Sequence, residues 1–209
     1  MTAGILVFEG AEELDFVGPW EMLAMWGKVA AGPECVLVAE RMAPVVCAKG
    51  LSVNPGASFH TCPPLDFLIV PGGQGTRTEV SNQALTGFIA QTATSCKAVL
   101  SICTGSFLLH ASGVLAHRRA TTHWASLDRL RALCDVHVEE ARFVQDGDIW
   151  TSAGVSAGID MTLAFIASYA GEEAAGLVQS RAEYYPSETR YGSFAASDEA
   201  PGYIRGKPL

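Results

Sequence analysis

The sequence predicts a doubly wound α/β fold, a mostly parallel sheet flanked by helices in the flavodoxin-like three-layer arrangement. Three observations carry that prediction. Short apolar runs recur at residues 4–8, 34–39, 65–70 and 98–102, each of a length that suits a buried strand. Helical patterns follow several of them, so strand and helix alternate along the chain. The 209 residues are 49% hydrophobic and show neither an internal repeat nor a linker, which fits one sizeable core. We expect a single domain over residues 1–185. From Tyr185 the chain turns polar and rich in Pro and Gly, so residues 186–209 read as a surface-hugging tail without periodicity.

The elements follow in order. Residues 4–8 (GILVF) form a first strand, placed centrally by its unbroken apolar character. An acidic turn leads through Leu14 and Asp15 to Pro19, which suits the first turn of a helix because its missing N–H costs nothing there. Trp20, Leu23 and Trp26 then recur at helical spacing, a core stripe. We also read the aromatics Trp20 and Trp26 as exposed surface compatible with a homodimer. Residues 34–39 are a second strand, and 41–53 alternate like a hairpin at a sheet edge. The strand at 65–70 ends in Pro71-Gly72-Gly73-Gln74-Gly75. Glycines there let backbone N–H groups turn toward a ligand, but the spacing is not that of a nucleotide phosphate loop. Residues 81–94 are an amphipathic helix with Leu85, Phe88, Ile89 and Ala93 on one face. Later come a strand-like segment at 119–123, a helix at 124–133 and short strands at 136–138, 141–144 and 149–151. The last two strands are joined by Asp146-Gly147-Asp148, a hairpin signal. A small-residue loop at 152–158 opens a helix at 158–169, and a final helix spans 172–183.

The stretch AVLSICTGSFLLH, residues 98–110, carries the chemistry. A β-branched apolar run, then Cys103-Thr104-Gly105-Ser106, then a helical apolar pattern make a nucleophile elbow. Gly105 keeps the turn free of a clashing Cβ. The following helix directs its positive end at the sulfur, so a lowered thiol pKa is expected. In an open α/β sheet ligands bind at the carboxyl ends of the strands. Asp15, Gly72-Gly73 and Cys103 each follow such a strand, so three separate segments converge on one crevice. The bland alternatives are a packing cysteine, a capping aspartate and a plain strand-to-helix turn.

Composition narrows the class. A net charge of −8 and no basic run beyond His117-Arg118-Arg119 give no support for nucleic-acid binding. No secretory leader and no membrane-length apolar stretch are visible, so a cytoplasmic protein without membrane contact is expected. Six scattered cysteines without C-x-x-C pairs read as free thiols. His60, His110, His117 and His137 share no metal-ligand spacing, so neither metal nor cofactor is expected.

Taken together, LDFVGPWE, LIVPGGQG, SICTGSFLL, RATTHW and SAGVSAGID resemble the ThiJ/PfpI superfamily, whose fold is like that of class I glutamine amidotransferases. Within it the chain is most similar to the isocyanide hydratases. That resemblance covers about residues 4–185, and the tail departs from it. It implies Cys103 as nucleophile and Asp15 as acid/base, the aspartate being the hydratase-like choice where many relatives use glutamate. It implies the backbone N–H groups of Gly73, beside Gly72, and of Thr104 as the anion-holding pair, and a homodimer. The expected reaction has the Cys103 thiolate attack the terminal carbon of an isocyanide while Asp15 delivers a proton. Asp15 then activates water, and an N-substituted formamide leaves. His123 has two readings: a Cys-His dyad partner, or a hydrogen-bonded histidine with at most an indirect role, which we favour. The alternatives are a cysteine amidase, protease-like hydrolase or glyoxalase of the same superfamily, or a non-catalytic redox sensor. The resembling sensor domains of AraC-type regulators precede a DNA-binding domain, for which 209 residues leave no room.

Overall fold

A computed structural model describes residues 1–187 and 189–205. The chain runs β1 (Thr2–Leu6), α1 (Glu13–Val29), β2 (Glu34–Ala39), β3 (Val45–Val46), β4 (Ser52–Val53), β5 (Ala57–Ser58) and β6 (Phe67–Val70). It continues through α2 (Thr76–Glu79), α3 (Gln83–Ala93), β7 (Ala98–Ile102), α4 (Gly105–Ala111), β8 (Arg119–Ala120) and α5 (Leu127–Arg131). The last elements are β9 (His137–Val138), β10 (Phe143–Asp146), β11 (Ile149–Ser152), α6 (Ala157–Ala170), α7 (Glu172–Arg181) and α8 (Gly202–Arg205).

The main sheet has seven strands in the order β10-β11-β7-β6-β1-β2-β5, parallel throughout except for β10. The predicted doubly wound architecture is therefore present. From β1 the chain moves outward to β2 and β5, then crosses back to β6 on the other side of β1. That reversal opens a crevice at the carboxyl ends of β1 and β6. The strands β6 and β7 are buried along their whole length, as sheet covered on both faces requires. Helices α1, α6 and α7 pack against one another on one face, and α3 with α4 on the other. Trp26 is the hub of the first layer, stacked on Phe67 at 6.0 Å and edge-on to Phe165 at 6.4 Å.

Several expectations change. The first helix starts at Glu13, so Pro19 lies inside it and Asp15 in its first turn. Acids in the first turn, Glu13 and Asp15, favour that early start through the helix dipole. Trp26 is buried and Trp20 is half-buried against the core, so neither is the exposed aromatic expected of a partner surface. The hairpin at 41–53 forms a separate two-stranded sheet, β3 with β4, and the edge of the main sheet is β5, a strand too short to show a pattern. The segment at 119–123 is extended only over β8, which pairs with β9. The tail is not structureless: a 3₁₀ turn at Phe194–Ala196 sets Phe194 5.0 Å from Trp124. The Gly202 N–H at the start of α8 donates to Glu140 at 2.6 Å. Positions 188 and 206–209 of the expected tail lie outside the described residues. His117-Arg118-Arg119 leads from a turn into β8, with Arg118 paired to Asp148 and Arg119 to Glu139, each at 3.1 Å. Among the described residues no helix is long and apolar enough to cross a membrane.

Candidate active site

The registers of three parallel strands build the site. Val70 of β6 lies level with Ser101 of β7, and Ile102 of β7 lies level with Ser152 of β11. The loops after them, 71–75, 103–104 and 153–156, therefore leave the sheet side by side. The loop after β1 joins them, because the Glu12 N–H donates to the Gly72 carbonyl at 2.9 Å.

Cys103 has φ +56°, the left-handed region that a non-glycine residue occupies only under restraint. The restraint is visible. Its N–H donates to the carbonyls of Ser152 and Ala153 at 3.2 and 3.1 Å, and its carbonyl accepts from the Thr122 hydroxyl at 2.8 Å. Gly105 is required as expected, since a Cβ there would strike the Val70 carbonyl. The elbow thus lifts the side chain to the floor of a cavity, leaving it 7% exposed.

Asp15 is fully buried beside it. Its Oδ2 accepts from the Gly72 N–H at 2.9 Å, while Oδ1 is buried with no hydrogen-bond partner among the described residues. Burial pushes this carboxyl up to about 7, against the opposing pull of the Gly72 N–H. Cys103 is pushed up to about 12, first by burial and then by the neighbouring Asp15 charge. Hydrogen bonding from Thr104 and from the Val155 N–H opposes that rise without cancelling it. The expectation of a lowered thiol pKa is therefore reversed. The helix after Cys103 has only seven residues, and its positive end does not outweigh desolvation of the sulfur.

The glycine amides are also placed differently from expectation. The Gly72 N–H is committed to Asp15, and the Gly73 N–H donates to the Thr104 hydroxyl at 3.0 Å. Neither is free to hold an anion. The backbone donors that face the sulfur belong to Thr104 and Val155. Gly72 is instead a close-approach residue, because a Cβ there would lie 2.9 Å from the Asp15 carboxylate and closer still to Thr104. Gly73 has φ +117° and packs on the backbone of Gly10 and Glu12.

Val155 was missed by sequence reasoning. It is β-branched with φ +51°, a strained conformation that turns its N–H toward Asp15 and Cys103. The available signal was the strand, small-residue turn and helix at 149–170, the same pattern as at 98–111 but without a nucleophile.

His123 lines the cavity, and its Nδ1 accepts from the Ala125 N–H at 3.2 Å. Burial lowers its pKa, so the ring is neutral with the proton on Nε2. Among the described residues no hydrogen bond joins it to Cys103. The ring packs on Gly154, where a Cβ would collide with it. The cavity measures about 300 Å³, and its wall also includes Glu12, Arg77, Ser126 and Arg129. Among the described residues no group of three His, Cys, Asp or Glu side chains is placed to hold a metal ion.

A parallel α/β sheet with a strained cysteine elbow and a buried acid beside it defines a class of cysteine-centred proteins. Residues 1–168 match the DJ-1/PfpI family, and the chain belongs to that family. It is 38% identical over 187 residues to the isonitrile hydratase of Pseudomonas putida, an alignment covering 90% of this chain and 80% of that one. Among solved structures it resembles a ThiJ/PfpI family protein from Pseudomonas syringae, with 32% identity and a TM-score of 0.85 over 98% of this chain and 82% of that one. Drosophila melanogaster DJ-1beta shares the fold at 18% identity, with a TM-score of 0.78 over 88% of this chain and 98% of that one.

Proposed function

We propose that this protein hydrates an isocyanide to an N-substituted formamide, with Cys103 as nucleophile, Asp15 as acid/base and no cofactor. The observation that carries the reading is the fully buried Asp15, anchored by the Gly72 N–H beside Cys103, at a pKa near neutrality. Such a carboxyl can both take and return a proton at pH 7. The similarity to an enzyme named isonitrile hydratase supports the same reading.

The chemistry starts from a neutral thiol and an ionised Asp15, since the sulfur holds its proton at rest. As sulfur adds to the terminal isocyanide carbon, the thiol proton passes to Asp15 and from it to the same carbon. The product is a thioimidate, R–N=CH–S, and the bond order between nitrogen and carbon falls by one. Asp15 then takes a proton from water as hydroxide adds to that carbon. The Thr104 and Val155 N–H groups, turned toward the sulfur, stabilise negative charge as it develops there. Asp15 returns the water's proton to nitrogen; as the C–S bond breaks, the hydroxyl proton passes through Asp15 to the sulfur, the carbonyl forms, and the formamide leaves with the thiol restored. Gly72 and Gly73 hold Asp15 and Thr104 in place, and neutral His123 shapes the wall.

A Cys-His hydrolase needs a cationic histidine paired to the sulfur, and a redox sensor needs an acidic thiol. The half-buried His123, whose pKa burial lowers, and the raised Cys103 favour neither. Ultraviolet-monitored turnover of an aromatic isocyanide tests the proposal. Formamide should form with wild type, vanish in Cys103→Ala and fall by about 100-fold or more in Asp15→Asn. Turnover persisting in Cys103→Ala would sink it. We further propose a cytoplasmic homodimer, in which Leu14 and Val17, exposed on α1, take the place of Trp26 as apolar surface. Sedimentation velocity distinguishes dimer from monomer.

A further inference from the structure

Two guanidinium groups border the Cys103 cavity without a task in the hydration chemistry. Arg77 comes from α2 and Arg129 from α5. Among the described residues neither is paired with a carboxylate, whereas Arg131, two residues along the same helix, pairs with Asp128 at 2.8 Å. Arg129 is held over the Phe107 ring at 4.6 Å, which fixes its position without occupying its donors. Glu12, the acid on the cavity wall, is ion-paired with Lys49 and with neither arginine. His123 brings no charge. In a chain with a net charge of −8, two unpaired arginines beside a nucleophile make a local cationic site against an anionic background. The planar fork of a guanidinium matches a carboxylate in two parallel hydrogen bonds. A cavity of about 300 Å³ limits the occupant to a small molecule.

We propose that the substrate is a small isocyanide carrying a carboxylate, which Arg77 and Arg129 bind while its terminal carbon meets Cys103. This rests on the hydratase reading for its isocyanide half, while the carboxylate site can be tested without it.

The first experiment alkylates the intact protein with iodoacetate and with iodoacetamide and follows the Cys103 peptide by mass spectrometry. The ratio of the two rates should fall about tenfold or more in the double variant Arg77→Gln/Arg129→Gln. It should be partly restored when both arginines become lysine, which keeps the charge but not the planar fork. An unchanged ratio in the glutamine variant overturns the carboxylate site. The second experiment compares isocyanoacetate with its methyl ester. Wild type should favour the free carboxylate by about tenfold or more in kcat/KM, and the double glutamine variant should lose that preference. Equal kcat/KM for the ester and the carboxylate overturns this proposal and leaves the hydratase reading standing. Hydration of neither, with an alkylation ratio that still depends on the arginines, overturns the isocyanide half together with the hydratase reading.

Discussion

At neutral pH the Asp15 carboxyl is divided between its two protonation states, because burial holds its pKa at about 7. An unfolded aspartate ionises near 3.8, so between that value and 7 the folded chain keeps a proton that the unfolded chain has lost. Stability contributed by this group is therefore complete below about pH 4 and is lost as pH rises through 7. Asp15→Asn removes the titration while keeping the shape. It should be more stable than wild type by about 2–4 kcal/mol at pH 8 and by little at pH 4, measured by urea unfolding at both values. An equal gain at both would mean that packing, not ionisation, is responsible. The same titration predicts the kinetics. Wild-type kcat/KM should climb through about pH 7 as Asp15 becomes able to accept the thiol proton, and Asp15→Asn should lack that limb. Cys103 was legible as a candidate because it directly follows a recognisable strand, and Asp15, in the first turn of α1, because LDFVGPWE carries the family resemblance. Val155 was not, because its role lies in a backbone N–H that any residue type carries, and no side-chain pattern marks it.

Among the elements, the loops after the strands tolerate least and the outer helices most. Gly154→Ala would drive a methyl group into the His123 ring, so a loss of about 1–3 kcal/mol is expected, with a lowered kcat/KM as the ring moves in the cavity wall. A methyl group added at Gly87 in α3 or at Gly176 in α7 would meet nothing within 4 Å. Replacing either by Ala should raise stability by about 0.5–1 kcal/mol through helix propensity alone, with turnover unaffected. Thermal unfolding with a turnover assay separates the two cases. Strand and helix positions were legible where the pattern was long, as in β7 and α3, because burial repeats through many residues. Among the two-residue strands, β5 was missed and β8 was drawn too long, since two residues hold no period, whereas β9 fell within 136–138 and β3 with β4 within the hairpin at 41–53. The start of α1 was misplaced because proline at a helix start and proline inside a helix leave the same mark in a sequence.

For the whole molecule, the layer of α1, α6 and α7 is tied to the sheet through Trp26, Phe67, Phe165 and Tyr169, whose rings meet within 5.1–6.4 Å. Trp26→Ala should cost about 3–5 kcal/mol, the range for emptying a large core site, and should lower the urea midpoint in a single cooperative transition. A cost below about 1 kcal/mol would show that the ring is not the hub its contacts imply. By itself the sequence determined the doubly wound class, the elbow at Cys103 and the nearness of Asp15 and Gly72, because strand ends and turn chemistry are written in local order. Only the tertiary structure decided how those groups are charged and which donors they meet. A pKa depends on burial and neighbours from distant segments, the β7–β11 register sets Val155 near the sulfur, and the packing of α2 and α5 brings Arg77 and Arg129 to one cavity.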